Sequence, residues 1–94
     1  MPKYLIEVPH DESVEACAHV VECFLKYGSH FALNADWGCM DGVHKAWITI
    51  ETDNKDQARD ILPPAHRAQA KIIQLNKFSM DQIDEILACH RAKQ

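Results

Sequence analysis

The stretch Ser29–Glu51, SHFALNADWGCMDGVHKAWITIE, carries the clearest pattern in this chain of 94 residues. Apolar and polar side chains alternate on both sides of Asp41-Gly42, and an Asp-Gly pair between two such runs is typical of a two-residue β-hairpin turn. The pattern therefore predicts one long hairpin, with strands over 29–40 and 43–51.

The predicted turn also fixes the register of this hairpin. With Asp41 and Gly42 as its two central residues, Cys39 faces His44 and Trp37 faces Ala46. A slip of one residue would move every side chain to the opposite face of the sheet, so turn and alternation must agree. The face expected to be apolar consists of Phe31, Leu33, Ala35, Trp37, Cys39, His44, Ala46, Ile48 and Ile50.

The rest of the chain completes an α+β pattern in a single domain over residues 1–94. Alternation predicts a first strand, apolar residues at helical spacing predict helices, and the Ser79/Gln82 spacing is typical of a capping box that opens the last helix. That last helix is expected to turn Ile83, Ile86 and Leu87 inward. The remaining predicted elements are a strand over 3–8, a helix over 14–27, a helix over 55–62, a connector over 65–68, a strand over 70–77 and a helix over 80–92.

This order, βαββαβ with an extra C-terminal helix, is the ferredoxin-like split-βαβ arrangement, with an antiparallel sheet of order 4-1-3-2. In this order of elements the chain resembles, over its whole length, the small ferredoxin-like proteins that pair into dimeric α+β barrels. These include muconolactone isomerases, cofactor-free monooxygenases, haem-degrading enzymes and nickel-binding proteins. The resemblance implies a homodimer and lies in the architecture: no catalytic motif of these proteins is matched at 35–44 or 62–67, and no functional residue is carried over.

Composition excludes some classes of partner. The formal net charge of −4 and the scattered basic residues argue against nucleic acid, which requires clustered Lys and Arg. No apolar run approaches the roughly 20 residues of a membrane-spanning helix, and no export signal is recognisable, so we expect no membrane association and a cytoplasmic protein. Six histidines are unusual for this length and suggest metal or proton chemistry.

The first candidate site is a metal centre at the hairpin tip. Residues opposite each other across an antiparallel ladder have Cβ atoms roughly 4.5–5.5 Å apart, so Cys39 and His44 could share an ion. A thiolate and an imidazole suit Zn, Ni, Fe or Cu. The expected topology brings His10 and His66 to the same edge as further ligands. The alternative is that Cys39 only fills space and His44 is an ordinary polar residue at a turn.

The second candidate site is the sheet face that the helices leave uncovered. A homodimer would bury this face, and a cavity between two sheets could hold a small molecule, with His30 and Asp36 moving a proton and Trp47 and Asn34 lining the space. Arg67 could hold an anionic ligand or pair with an acid such as Asp60. The sequence thus leaves three functions open: a protein that binds a metal ion or small ligand, a cofactor-free isomerase or monooxygenase, and a structural or regulatory homodimer.

Overall fold

Four strands and four helices make up the computed structural model, which describes the backbone of residues 1–92 and the side chains of residues 1–89. The last two residues of the predicted domain, 93 and 94, lie outside this range. The strands are β1 (Lys3–Pro9), β2 (Asp36–Trp37), β3 (Lys45–Glu51) and β4 (Lys71–Leu75), and the helices are α1 (Val14–Tyr27), α2 (Lys55–Asp60), α3 (Pro64–Arg67) and α4 (Met80–Ala92).

The four strands form one antiparallel sheet in the order β2-β3-β1-β4, which is 4-1-3-2 when read from the other edge. The central pair is β1 with β3, in a register that runs from Lys3 opposite Glu51 to Pro9 opposite Lys45. The prediction of an α+β domain with a four-stranded antiparallel sheet is confirmed. The ferredoxin-like class and the dimeric barrel stay predictions.

One face of the sheet and the helices α1 and α2 enclose the core, together with residues of the segments that follow these helices. Alternate residues of β1 and β3 point into it, as their sequence pattern predicts. The short helix α2 is capped by Asn54, whose side chain accepts a hydrogen bond of 2.8 Å from the Gln57 backbone N–H. The buried side chains are those of Tyr4, Ile6, Val8, Val20, Phe24, Ala32, Ala46, Ile48, Ile50, Ala58, Ile61, Leu62, Ala70 and Ile72.

The predicted strand over 29–40 is wrong for most of its length. Residues His30–Asn34 form a 3-10 helix, with local hydrogen bonds such as Ala32 N–H to Ser29 C=O at 2.9 Å. Ala32 packs so closely on Gly28 that a Cβ at position 28 would lie 2.6 Å from its own Cβ. This contact folds the segment back over the end of α1. Phe31 and Leu33, expected to face inward, are therefore each 50% exposed.

The hairpin turn is also longer than predicted. Trp37 pairs with Ala46, as the predicted register requires, but the ladder then gives way to a loop over 38–44 that contains a short 3-10 turn at Cys39–Asp41. Gly42 has φ = +80°, in the left-handed region that favours glycine. The loop opens because Val43 N–H and Asp41 N–H both donate to the Gly38 carbonyl, each at 3.0 Å. Cys39 and His44 are therefore not ladder partners.

Two further differences concern the second half of the chain. Residues 65–67 of the predicted connector belong instead to the four-residue helix α3. The helix begins at Pro64, a residue that suits the first turn because no N–H is needed there. The prediction that α4 turns its apolar residues into the core is wrong: Ile83 is 38% and Leu87 44% exposed, and Ile86 is half-buried.

Helix α4 makes few contacts with the other elements, and the molecule has a longest dimension of 48 Å and a radius of gyration of 16.3 Å. A compact chain of this length would have a radius of gyration of roughly 12 Å. Among the described residues, no helix combines the length and the apolar character needed to cross a membrane.

Candidate metal centre

His10 and His44 come together because of the register between β1 and β3. The last ladder pair is Pro9 with Lys45, and the next position outward places His10 opposite His44. Their backbones continue the pairing, since His10 N–H donates to the His44 carbonyl at 3.1 Å. The two imidazole rings stand perpendicular, with centroids 5.7 Å apart.

Cys39 reaches the same point from the loop between β2 and β3. Gly38 N–H donates to the Lys45 carbonyl at 3.1 Å and so holds the start of the loop beside the start of β3. The Cys39 Sγ atom then lies 3.1 Å from Nε2 of His10. Cys39 and His44 are thus close together, as the hairpin prediction expected, but a folded loop and not a ladder pair places them there.

These three side chains form a group with metal-ligand geometry. One ligand atom from each of His10, Cys39 and His44 lies within 4.8 Å of the other two, and all three residues are half-buried. Two ligand atoms of a tetrahedral zinc ion with bonds of about 2.0–2.3 Å are roughly 3.5 Å apart, so small side-chain rotations would close the group around an ion.

Burial and neighbouring groups set the electrostatics of the cluster. The pKa of His10 lies below its ordinary value, first because the ring is desolvated and then because His44 is near, while Asp11 acts in the opposite direction. The pKa of the Cys39 thiol is raised, first by burial and then by the neighbouring Cys17 thiol. Metal binding would therefore have to displace the Cys39 proton, and a divalent cation supplies the charge that does so.

Two imidazole nitrogens of the cluster have no hydrogen-bond partner among the residues that the structure describes. They are Nδ1 of His10 and Nδ1 of His44, and both are shut off from water. Nearly all buried polar atoms in folded proteins are paired, so unpaired ones call for an explanation. A donor set of one thiolate and two imidazoles fits a transition metal, and it fits magnesium or calcium poorly.

The other two predicted edge residues are placed differently. His66, on α3, is not part of the three-residue group. Its ring packs against Phe24 with centroids 5.8 Å apart, and its pKa is lowered by burial and then by His19 and His10. Arg67 donates to the backbone carbonyls of Leu62 and Asp60, each at 3.0 Å, and so fastens the turn before α3.

The residues of the second candidate site lie on three different elements, and of these Asp36 and Trp47 are ladder partners. His30 stands at the start of the 3-10 helix and Asp36 in β2, so they no longer occupy alternate positions of one strand; Asn34 is exposed at the end of the same 3-10 helix. Trp47 is half-buried on the uncovered sheet face, where its Nε1–H donates to Glu7 Oε1 at 3.2 Å. The catalytic and ligand-binding roles of these residues, and the homodimer, stay predictions.

Sequence reasoning missed two proximities of α1 residues, that of Cys17 to the cluster and that of His19 to His66. Cys17 lies close enough to act on the Cys39 thiol, and His19 close enough to act on His66. A signal was present, because only four residues separate β1 from α1, which requires the first turns of the helix to lie near the end of that strand.

Comparison with known proteins adds no further assignment: no protein-family model, no curated protein and no solved structure matches this chain.

Proposed function

We propose that this protein binds a transition-metal ion through His10, Cys39 and His44. The observation that carries the proposal is the convergence of these three side chains, from the end of β1, the loop after β2 and the start of β3, within 4.8 Å. The three ligands come from separate segments of the chain, and none of them belongs to the hydrophobic core.

The ligand types narrow the choice of metal. One soft thiolate with two imidazoles favours Zn, Ni, Cu or Fe, and the order of affinities among divalent ions at such a site places Cu above Zn and Ni. Three protein ligands leave a coordination position open, and open sites are typical of metal centres that bind or activate a further molecule. The protein supplies a rigid anchor for two of the ligands, because His10 and His44 are joined through their backbones.

The experiment is metal titration of the untagged protein. We expect one equivalent of Zn²⁺ to bind, and Co²⁺ to give the visible bands of a low-symmetry site together with a thiolate-to-cobalt charge-transfer band. The Cys39→Ala/His44→Ala variant should bind at least about 100-fold more weakly, since even changes outside the ligand shell cost roughly 10- to 100-fold.

The matched control is Cys89→Ala/His30→Ala, which removes one thiol and one imidazole from exposed positions outside the cluster. Its affinity for Zn²⁺ should equal that of the wild type. Equal binding by the two double variants, or a cobalt complex without the charge-transfer band, would contradict the proposal.

A further inference from the structure

Cys17 lies on the face of α1 that is turned toward the sheet. It precedes Val20 by about one helical turn and Phe24 by two, and these side chains are 2% and 1% exposed, so the three share one stripe of the helix. The ring of Phe24 reaches Trp37, two residues before Cys39, with centroids 5.0 Å apart. The stripe that contains Cys17 therefore faces the segment that contains Cys39.

The connection between β1 and α1 places Cys17 at the same end of the sheet as the metal centre. Four residues separate the two elements, and His10 is the first of them. Ala16 and Val20, which flank Cys17 on the helix surface, line one cavity together with His10. The pKa of the Cys39 thiol is raised first by burial and then by the Cys17 thiol, which requires the two sulfur atoms to be near each other.

The other two cysteines lie elsewhere, and all four are in the described part of the chain. Cys23 is about 120° from Cys17 around the helix and lines a different cavity, beside α3. Cys89 is exposed on α4. Cys17 and Cys39 are both half-buried, so a small molecule can reach them. Cys17 is thus the thiol that is available to Cys39.

We propose that a peroxide oxidises Cys17 and Cys39 to a disulfide and that this reaction releases the metal ion, so that only the reduced protein holds metal. The inference rests on the proposed function, because Cys39 is the thiolate ligand there. A metal requires this sulfur as a thiolate, and a sulfur bonded to Cys17 is no longer one. Cys39 lies in the loop over 38–44 and not in the ladder, so its approach to a disulfide distance breaks no strand pairing.

The reaction balances with hydrogen peroxide as the oxidant. The Cys39 thiolate attacks one peroxide oxygen, the O–O bond breaks, and the hydroxide that leaves takes up a proton and becomes water. The Cys17 sulfur then attacks the Cys39 sulfur, the S–O bond breaks, and a second hydroxide leaves with the Cys17 proton as water. Each sulfur loses one electron and each oxygen gains one. In the metal-free protein, the Cys39 proton can pass to Nε2 of His10, 3.1 Å from Sγ.

Peptide mapping of the metal-free protein tests the disulfide apart from any metal. Cleavage by trypsin together with a glutamate-specific protease places Cys17 in fragment 16–22, Cys23 in 23–26 and Cys39 in 27–45. After treatment with hydrogen peroxide, we expect fragment 16–22 to be linked to 27–45, with two free thiols fewer per chain. Dithiothreitol should restore both thiols.

Two variants on one helix test the coupling to metal. Cys17→Ala removes the proposed partner, and the matched control Cys23→Ala removes a thiol outside the stripe. Both reduced variants should bind Zn²⁺ as the wild type does, since neither thiol belongs to the group of three. Peroxide should weaken zinc binding by about 100-fold or more in the wild type and in Cys23→Ala, and dithiothreitol should restore it. In Cys17→Ala the unpartnered Cys39 is oxidised onward to a sulfinic acid, so most of the lost zinc binding should not return.

Zinc binding by the reduced wild type separates the two proposals. If the reduced protein binds zinc and peroxide forms no link between 16–22 and 27–45, the redox inference fails while the proposed function stands. If it binds no zinc, the proposed function fails, and control of the metal fails with it. Full recovery of zinc binding by Cys17→Ala would also overturn the inference, and so would a reduced Cys17→Ala that binds zinc more than about tenfold more weakly, since Cys17 would then be a ligand. Circular dichroism verifies folding, and the wild-type peptide map decides the disulfide even if a variant does not fold.

Discussion

The strand pair β1–β3 and the segment 29–44 have similar alternating sequences but different structures. In β1 and β3 the alternation predicts which side chains are buried, down to Ile6 at 0% and Ile48 at 3% exposure. In 29–44 a similar pattern yields a 3-10 helix, two residues of strand and a folded loop. Alternation predicted the structure correctly for β1, which is hydrogen-bonded to a strand on each side. At the edge of the sheet a segment can pair with only one strand, and there local contacts outweighed the alternating pattern.

The comparison also separates stability from chemistry. The regular pair holds the core, and the irregular segment supplies Cys39 to the candidate metal centre at the place where regular pairing ends. Loops positioned by a rigid sheet commonly carry binding residues for this reason. The predictions below test whether the two regions also differ in how much they contribute to the free energy of unfolding.

The largest expected effect is on the core strand. Ile6→Ala should lower the free energy of unfolding by about 2–5 kcal/mol, because it leaves a cavity in the packed face of β1. Leu33→Ala, in the edge segment at 50% exposure, should cost less than about 1 kcal/mol. Urea unfolding of both variants measures the difference, and equal losses would mean that the edge segment contributes to the core as much as the strand does.

A smaller effect is expected in the loop. Gly42→Ala forces a side chain into the left-handed region and should cost about 1–2 kcal/mol, and it should also weaken Zn²⁺ binding because the loop positions Cys39. The neighbouring exposed substitution Asp41→Ala serves as the control and should change stability by less than about 0.5 kcal/mol. If Gly42→Ala left zinc affinity unchanged, the loop would not be the element that places the thiol.

The next effect concerns pH. His10 and His66 have folded-state pKa values below 6.5, so the unfolded chain takes up protons at a higher pH than the folded one. Stability of the metal-free protein should therefore be greatest above pH 6.5 and fall as the pH drops toward the folded-state values. Urea unfolding at a series of pH values measures this slope.

The pH prediction has its own control in His66→Asn, which removes one of the two groups. The loss of stability on acidification should be smaller in this variant than in the wild type. A wild-type stability that rises between pH 7 and 5.5 would have the wrong sign and would contradict the burial of these rings.

The smallest effect is expected on α4. Leu87→Ser should change the free energy of unfolding by less than about 0.5 kcal/mol, because this side chain is 44% exposed on a helix that makes few contacts with the other elements. If the variant is instead destabilised in a way that depends on protein concentration, α4 is covered by a second copy of the chain, and sedimentation velocity would reveal it.

Much of the fold could be predicted from the sequence because its signals were local. The Ser79/Gln82 capping box, the helix over 80–92 and the alternation of β1 each involve neighbours in the chain. The 3-10 helix could not be predicted, because it depends on a contact between Ala32 and the end of α1 that no spacing indicates.

The candidate site could be predicted only where it follows from strand pairing. His10 and His44 follow from the strand register, which the sheet order implies. Cys39 joined them through hydrogen bonds of the loop at Gly38 rather than through the predicted pairing. The distance of His66 from the group depends on how far α3 stands from the sheet edge, a matter of tertiary packing.

Trp37 touches both regions at once. Its indole meets the His10 ring edge-on, with centroids 6.0 Å apart, and lies 5.0 Å from the Phe24 ring in the core. An ion held by His10 would thus sit beside a fluorophore, and Cu²⁺ or Ni²⁺ would quench its emission. The other indole, that of Trp47, hydrogen-bonds to Glu7 on the opposite side of the sheet. If Trp47 were replaced by phenylalanine, Trp37 would be the tryptophan that remains, and its fluorescence would report metal binding directly.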